Sequence, residues 1–251
     1  MYLSEFLPQN ISGKTALITG GTTGIGRATA ISLAAVGVNI LIFGRHKEEL
    51  EESLQAIRGV NPNGAYYGIV ADVAKQEDIE RIFDTVDQKF DKLDILVNNA
   101  AIGHDGIESG DYKDWDYLMS TNLTGYLACC HESIKRMKPN QSGHIINIGS
   151  LIAETTVSGR SVYAASKAGI QGFTEALRNE INPMNIKVSL IEPGLVSSDM
   201  IDLPADQHKQ KIEALEMLKA EDIAMSVLYC LCQPKRSDII SLQIRPHLQL
   251  T

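Results

Sequence analysis

Basic residues and long apolar runs are scarce in this chain of 251 residues. Lysine and arginine number 23 against 31 aspartates and glutamates, which gives a formal net charge of −8. Because that charge offers no net attraction to nucleic-acid phosphates or anionic lipids, we expect neither a nucleic-acid-binding nor a membrane-binding protein. No apolar run approaches the ~20 residues of a membrane-spanning helix, and the N-terminus lacks a signal sequence, so we expect a cytoplasmic location.

Cysteine is also rare, and the four cysteines lie in two close pairs, Cys129-Cys130 and Cys230-x-Cys232. Neither spacing matches a disulfide framework or a four-ligand zinc site, so no metal is expected and reduced cysteines on helices are predicted. Hydrophobic residues make up 44% and charged residues 22%, which is typical of a protein with a packed core. The length fits a single domain over residues 1–251.

Short β-branched runs alternate with longer amphipathic segments along the chain. This alternation predicts a doubly wound α/β domain, with seven parallel strands and helices on both faces of the sheet. The predicted strands are 14–19, 38–43, 66–70, 93–97, 144–148, 186–191 and 239–244. The predicted helices are 25–36, 47–58, 76–90, 115–137, 162–180 and 222–232. Ligands of such sheets bind beyond the carboxyl ends of the strands, so function is expected in the segments after strands one, four, five and six.

Residues 19–26 read Thr-Gly-Gly-Thr-Thr-Gly-Ile-Gly between the first strand and the first helix. A glycine-rich turn that runs into a helix N-terminus can cradle a pyrophosphate, because free N–H groups and the positive end of the helix dipole meet there. The simpler interpretation is a plain helix-entry turn. The predicted cofactor-binding residues of this turn are Gly20, Thr22, Thr23, Gly24, Ile25 and Gly26.

The end of the second predicted strand indicates which dinucleotide is preferred. NAD-binding sheets usually carry a carboxylate there, whereas this chain has Arg45, which could bind a 2′-phosphate with help from Arg27 or Lys47. We therefore predict NADP(H); the alternative is a solvated, basic helix start. Asp72-Val73, after the third strand, could accept a hydrogen bond from the adenine amino group. Alternatively, Asp72 could cap the following turn.

The most informative residues are Ser150, Tyr163 and Lys167. Tyr163 and Lys167 are four apart on a predicted helix and share a face, so the ammonium should lower the phenol pKa and allow proton exchange with an alcohol or carbonyl. Ser150 ends the fifth strand and could donate a hydrogen bond to the same substrate oxygen. Considered without the other motifs, Tyr163 and Lys167 would be an ordinary exposed pair on a helix, and Ser150 would be a turn residue or a cap.

Together, the glycine turn, Tyr-x-x-x-Lys and the serine spacing resemble the short-chain dehydrogenase/reductase family across nearly the whole chain. The resemblance implies a Rossmann-like fold, with Tyr163 as catalytic acid/base, Ser150 orienting the substrate, and Lys167 lowering the Tyr163 pKa and binding the nicotinamide ribose. It also implies that Asn122 kinks the long helix and holds a water near Lys167, although an isolated mid-helix Asn would simply face water. Further family positions are Asn98 bracing the sheet, and Asn99, Pro193, Gly194, Val196 and Ser198 at the cofactor.

The resemblance implies reversible hydride transfer between NADP(H) and a small carbonyl or alcohol substrate. The substrate should contact residues 101–111, 151–161 and an apolar lid at 195–217. The apolar residues of this lid are Met200, Ile201, Leu203 and, on a short helix, Ile212, Leu215 and Met217; alternatively, they pack against the body. An uncharged substrate is favoured, although Lys209 and Lys211 leave room for an acidic one.

Two enzyme alternatives remain open. The 3-oxoacyl-acyl-carrier-protein reductases commonly end their last strand in Asp-Gly-Gly, whereas residues 242–247 read Leu-Gln-Ile-Arg-Pro-His, which looks more like the serine and 3-hydroxy acid dehydrogenases. A non-catalytic NADP(H) sensor is the alternative from another class. The resemblance further implies a homodimer or homotetramer packed through helices 115–137 and 162–180.

Overall fold

The sheet of this protein is a single layer of seven parallel strands. The computed structural model describes residues 8–155, 157–201 and 203–249, and residues 1–7, 156, 202 and 250–251, which include parts of the predicted domain and substrate segments, lie outside this description. The strands are β1 (Thr15–Thr19), β2 (Asn39–Gly44), β3 (Tyr66–Val70), β4 (Ile95–Asn98), β5 (Gly143–Ile148), β6 (Ile186–Pro193) and β7 (Ser241–Ile244). Their spatial order is β3-β2-β1-β4-β5-β6-β7, so a crevice opens between β1 and β4, where the order reverses.

Helices cover both faces of this sheet, which confirms the predicted Rossmann-like α/β fold. They are α1 (Gly24–Ala35), α2 (Lys47–Val60), α3 (Gln76–Lys89), α4 (Tyr112–Met119), α5 (Gly125–Met137), α6 (Ser161–Ile181), α7 (Ala205–Glu213) and α8 (Ala220–Leu231). Successive strand residues point to opposite faces, so Ala16 and Ile18 pack with α1, α2 and α8, whereas Leu17 packs with α3, α5 and α6. No helix in the described ranges is both long and apolar enough to cross a membrane.

The long helix predicted at 115–137 differs from the structure at its start and in its middle. It begins at Tyr112, because the Asp111 carboxylate accepts the backbone N–H of Lys113 and Asp114 in a capping box. Residues Ser120–Thr124 then form one π-helical turn between α4 and α5. A π-helical turn holds one extra residue, and such turns often occur at functional sites.

The short helix expected within the lid at 195–217 lies earlier in the chain than predicted. It spans Ala205–Glu213, so it contains Ile212 but ends before Leu215 and Met217. Leu215 adopts a positive φ of 60° and is exposed, whereas Met217 is buried. All four cysteines are free, and Cys129, Cys130 and Cys230 are buried on α5 and α8 as predicted, whereas Cys232 is the residue directly after α8.

Candidate active site

A cleft of about 960 Å³ lies at the carboxyl ends of the strands. That volume suits a sizeable ligand. Most of the predicted site residues line it, namely Gly20, Thr22, Thr23, Gly24, Ile25, Arg45, Asp72, Val73, Asn99, Ser150, Tyr163, Lys167, Pro193, Gly194, Val196 and Ser198. Gly26 and Asn122 do not line it, so any part they play is indirect.

The glycine turn after β1 has the shape that a phosphate cradle requires. Gly20 has φ +61°, and a Cβ there would lie 2.9 Å from the Ala100 Cα. A Cβ on Gly26 would collide with the Gly20 carbonyl oxygen, so glycine permits α1 to pack against the turn. Helix α1 has no side-chain cap and no acidic residue in its first turn. Its N–H groups are therefore directed into the cleft without a competing carboxylate, and the turn fits a dinucleotide pyrophosphate.

A chain of hydrogen bonds joins the ends of β2 and β3 on the side of the cleft away from Tyr163. Arg45 Nη1 donates to the Tyr117 hydroxyl at 2.9 Å, and that hydroxyl donates to Asp72 Oδ2 at 2.8 Å. The other carboxylate oxygen of Asp72 accepts the Ala74 N–H at 3.0 Å, so the cap interpretation of Asp72 is confirmed. Sequence reasoning missed Tyr117. No local pattern connects it to its two partners, because it follows Arg45 by 72 positions and Asp72 by 45 positions along the chain.

The other two basic residues considered for the 2′-phosphate lie outside the cleft lining. Lys47 forms an exposed ion pair with Glu51 at 3.6 Å on α2. Arg27 lies within α1 and does not line the cleft. Among the three candidates, Arg45 is therefore the cation that this cleft presents.

The two asparagines after β4 have separate structural roles. Asn98 is buried, and its amide donates to Asn147 Oδ1 at 2.9 Å, which links β4 to β5 as expected. Asn99 donates to the carbonyls of Thr19 and Gly20 at 3.0 and 3.1 Å. These bonds hold the glycine turn against the end of β4, so Asn99 fixes the floor of the cleft.

Asn122 lies in the π-helical turn and is 0% exposed, so the interpretation of an Asn facing water is wrong. Its amide exchanges two hydrogen bonds with the backbone of Ile102, at 2.8 and 2.9 Å, and reaches the Ser166 hydroxyl at 3.2 Å. The side chain therefore ties the segment after β4 to α6. The contact is made at Ser166, the residue immediately before Lys167 on α6.

Ser150, Tyr163 and Lys167 meet at the cleft, as the sequence predicted. Ser150 and Tyr163 line the same part of the cleft, and the Ser150 oxygen accepts the Ile152 N–H at 3.3 Å and caps a short 3₁₀ turn. Lys167 is 2% exposed, and its ammonium donates to the Ile148 carbonyl at 3.0 Å. The Lys167 nitrogen lies 5.7 Å from the centroid of the Tyr163 ring, so the pair is far from an ordinary exposed one.

The pKa values of this pair differ from the expectation. Burial raises the pKa of Tyr163 to about 12, although the Ser150 hydrogen bond and the Arg160 charge act to lower it. Burial also lowers the pKa of Lys167 to about 7, so at neutral pH the ammonium is only partly charged. Loss of water around both groups disfavours both ionic forms. The expected lowering of the phenol pKa by Lys167 is therefore absent from this structure, and Tyr163 is a protonated phenol at neutral pH.

The loop after β6 closes one wall of the cleft. Val196 is buried and bridges to Leu218, and the Leu195 N–H donates to Gln249 Oε1 at 3.0 Å. Gln249, which sequence reasoning missed, also lines the cleft and ties the C-terminal segment to this wall. On α7, the His208 ring bonds Ser197 Oγ at 2.7 Å and thereby anchors the loop to the lid helix.

Two of the predicted substrate segments contact each other beside Tyr163. The Ile107 N–H donates to Ser161 Oγ at 3.1 Å, and a nitrogen of Arg160 lies 3.8 Å from Asp105 Oδ1. His104, Asp105, Arg160, Met200 and Ile201 all line the cleft here. Met200 and Ile201 thus support the expected apolar lid, whereas Met217 packs into the body.

The lysines considered for an acidic substrate are placed elsewhere. Lys209 pairs with Glu213 at 3.9 Å and Lys211 with Glu216 at 3.3 Å, and neither lysine lines the cleft. Arg160 occupies the cleft instead. No periodic pattern distinguishes it, because its importance comes from the fold that brings residues 104–107 against residues 159–161.

Comparison with known sequences gives consistent matches. A family model described as short chain dehydrogenase matches residues 14–208. The chain is 32% identical over 223 residues to carbonyl reductase family member 4 of Danio rerio, covering 88% of this chain and 92% of that protein. It is 33% identical over 235 residues to the 3-oxoacyl-acyl-carrier-protein reductase FabG of Aquifex aeolicus, covering 91% of this chain and 94% of that protein.

Solved structures agree in fold over almost the full length. A metagenomic short-chain oxidoreductase in complex with NADP aligns with a TM-score of 0.81 at 27% identity, covering 96% of this chain and 100% of that one. The 3-ketoacyl-(acyl-carrier-protein) reductase of Brucella melitensis complexed with NADH aligns with a TM-score of 0.84 at 27% identity, covering 95% and 99%. Similar structures therefore hold either nicotinamide dinucleotide.

Proposed function

The chain belongs to the short chain dehydrogenase family, and from this premise we propose that it is an NADP(H)-dependent oxidoreductase acting on a carbonyl or alcohol substrate. The observation that carries the proposal is the meeting of Ser150, Tyr163 and Lys167 in one large cleft beside the glycine turn. A pure nucleotide sensor has no need of that arrangement. Tyr163 is the proposed acid/base, Ser150 the substrate-orienting donor, and Lys167 and Asn122 the supporting pair.

A bound nicotinamide supplies the hydride in reduction and accepts it in oxidation. Ser150 directs its hydroxyl toward the substrate oxygen and holds the carbonyl beside the Tyr163 phenol. Tyr163 then delivers its proton to that oxygen, and a pKa of about 12 keeps the proton available at neutral pH. Lys167, with a pKa of about 7, can return a proton toward the phenol. These properties favour reduction at neutral pH and oxidation at alkaline pH.

Removing one oxygen atom tests this role. Tyr163→Phe should lower NADPH oxidation by at least about 1,000-fold across aldehydes, ketones and diketones, because the proton donor is lost while the ring remains. Its NADPH affinity by fluorescence titration should stay within about threefold. Tyr112→Phe, an exposed change of the same type on α4, is the matched control. Substantial residual activity in Tyr163→Phe would refute the assignment, and complete inactivity of the wild type over the panel would favour the sensor.

We further propose that NADP(H) is preferred over NAD(H), with Arg45 binding the 2′-phosphate. The supporting observation is that Arg45 lines the cleft and occupies the position directly after β2 where NAD-binding sheets usually carry a carboxylate. The glycine turn, Asp72, Val73, Asn99 and the loop from Pro193 to Ser198 are the other proposed contacts. Fluorescence titration with NADPH and NADH tests the preference; equal affinities, or tighter NADH, would contradict it.

A second candidate is reduction of 3-oxoacyl thioesters. The 33% identity to FabG over 91% of this chain favours it, whereas the Leu242–His247 sequence departs from the Asp-Gly-Gly ending of that group. Acetoacetyl thioesters assayed against serine and 3-hydroxy acids, with each nicotinamide, separate the two enzyme classes.

The assembly is proposed to be a homodimer or homotetramer packed through the predicted helices 115–137 and 162–180, which correspond to α4, the π-helical turn, α5 and α6. Leu127 on α5 is an exposed apolar side chain that such packing would cover. Light scattering of the purified protein gives the mass of the assembly directly.

A further inference from the structure

Arg160 is a guanidinium placed at the reacting end of the cleft. It is the residue immediately before α6, three positions from Tyr163, and it lines the cleft together with Tyr163 and Ser150. Its charge opposes the rise in the Tyr163 pKa that burial produces, so the two side chains are close enough to interact electrostatically. Arg45, the other arginine of the lining, stands after β2 on the opposite side of the crevice.

The hydrogen-bonding capacity of Arg160 is nearly unused within the described residues. Its one carboxylate partner there is Asp105, with N···O at 3.8 Å, and the two side chains are 44% and 75% exposed. An arginine offers five N–H donors in a planar fork, and a well-formed carboxylate pair is bidentate at about 2.7–2.9 Å. An exposed pair as long as this one contributes at most about 1 kcal/mol, so another carboxylate can displace Asp105.

The other polar groups around the reacting end do not provide an equivalent site. Lys167 is buried and directs its ammonium to the Ile148 carbonyl. The His104 Nδ1 is within 2.7 Å of the Asp105 carbonyl oxygen. Asp199 lines the same cleft, and its carboxylate would repel an anion. Apolar side chains also line the cleft, namely Leu151, Ile152, Val157, Met200 and Ile201, together with the uncharged polar Thr155.

We propose that Arg160 is the specificity residue of this site and binds the carboxylate of a short oxo acid, or of the corresponding hydroxy acid, while Tyr163 and Ser150 hold its carbonyl or hydroxyl oxygen. The inference rests on the proposed oxidoreductase function. In reduction the carbonyl carbon gains a C–H bond from the hydride pair of the reduced nicotinamide, the C=O π bond breaks, and the oxygen takes the Tyr163 proton. The oxo acid becomes a hydroxy acid, and the nicotinamide is oxidised.

The carboxylate remains ionised throughout and makes no covalent change. Its charge-assisted hydrogen bonds are present in the ground state and in the transition state, so they should act mainly on KM. Methyl esters keep the reacting carbonyl and remove the charge. Acid and ester pairs therefore isolate the contribution of Arg160.

The experiment measures kcat and KM with NADPH for acetoacetate and 2-oxobutyrate, each against its methyl ester, in wild type and Arg160→Gln. The wild type should prefer the acid of at least one pair, and the two pairs distinguish a 3-oxo from a 2-oxo acid. Arg160→Gln should reduce the acid-to-ester ratio of kcat/KM about 10- to 100-fold through KM, and the ratio cancels any effect on Tyr163 that acid and ester share. Arg160→Lys should recover part of the ratio, because it keeps the charge without the fork.

Arg58→Gln is the matched control, since Arg58 is exposed in the last turn of α2 and does not line the cleft. A wild type that prefers the esters, or an acid-to-ester ratio unchanged in Arg160→Gln, would overturn the inference while leaving the oxidoreductase function intact. Failure of every carbonyl compound to oxidise NADPH would instead count against the proposed function. Calorimetric titration of the NADPH-bound protein with 3-hydroxybutyrate and 2-hydroxybutyrate then tests the carboxylate site without turnover. Arg160→Gln should weaken binding of at least one hydroxy acid about 10- to 100-fold. Unchanged affinities for both hydroxy acids would contradict the carboxylate site.

Discussion

Replacing Lys167 by methionine should stabilise the protein at neutral pH while abolishing its activity. The ammonium is 2% exposed and its pKa falls from 10.5 to about 7, so the folded protein holds a cation that water would solvate better. Methionine fills a similar length without charge. The Ile148 carbonyl, which would lose the Lys167 donor, keeps its hydrogen bond from the Tyr126 hydroxyl at 3.2 Å. The backbone group is therefore not left unpaired.

The magnitude follows from proton linkage. Between pH 7 and pH 10.5 the unfolded lysine binds a proton that the folded one has largely released, so the stability of the wild type rises with pH. Below pH 7 both states are protonated and the full penalty applies. Integrating the two titrations from pH 7 to pH 9 gives a gain of about 2 kcal/mol for the wild type relative to a variant without this group.

Urea unfolding at fixed protein concentration, at pH 7 and pH 9, measures this difference. The excess free energy of unfolding of Lys167→Met over the wild type should shrink by about 2 kcal/mol between the two pH values. Lys113→Met, an exposed change on α4, should show no such shrinkage. A difference between Lys167→Met and wild type that is independent of pH would refute the depressed lysine pKa and with it the proposed proton path.

The remaining predictions concern the cofactor side of the cleft. Tyr117→Phe removes the hydroxyl that joins Arg45 to Asp72. The ratio of the NADH and NADPH dissociation constants, measured by fluorescence titration, should therefore change by at least about threefold. An unchanged ratio would mean that Tyr117 does not position Arg45. Gly26→Ala places a methyl group against the Gly20 carbonyl, so it should lower stability by about 1–3 kcal/mol and weaken NADPH binding, whereas Gly172→Ala, whose Cβ meets nothing within 4 Å, should do neither. Loss of stability in both alanine variants would point to the helices rather than to the turn.

Much of the fold could be read from local patterns. The period of the apolar residues and the glycine punctuation located every strand, and β3 (Tyr66–Val70) matches its predicted ends. Tyr163 and Lys167 were found for the same reason, because a spacing of four on a helix fixes their shared face. The start of the long helix was wrong by three residues, since the Asp111 capping box outweighed the apolar pattern.

The functional details that sequence reasoning missed all depend on long-range contacts. Tyr117 reaches Arg45 across 72 residues, and the Arg160–Asp105 pair exists because two loops fold against each other. The π-helical turn at Asn122 is stabilised by the backbone of Ile102, which no helical periodicity encodes. Such contacts are set by the packing of whole elements.

The sequence by itself determined the order of strands and helices, the glycine turn and the shared helix face of Tyr163 and Lys167, because each is a matter of spacing along one backbone. Only the tertiary structure decided the protonation of Tyr163 and Lys167 and the placement of Arg160. Desolvation sums over every neighbour that excludes water, and those neighbours come from β5, α5 and α6. The same residues four positions apart on an exposed helix would have the pKa values of free side chains.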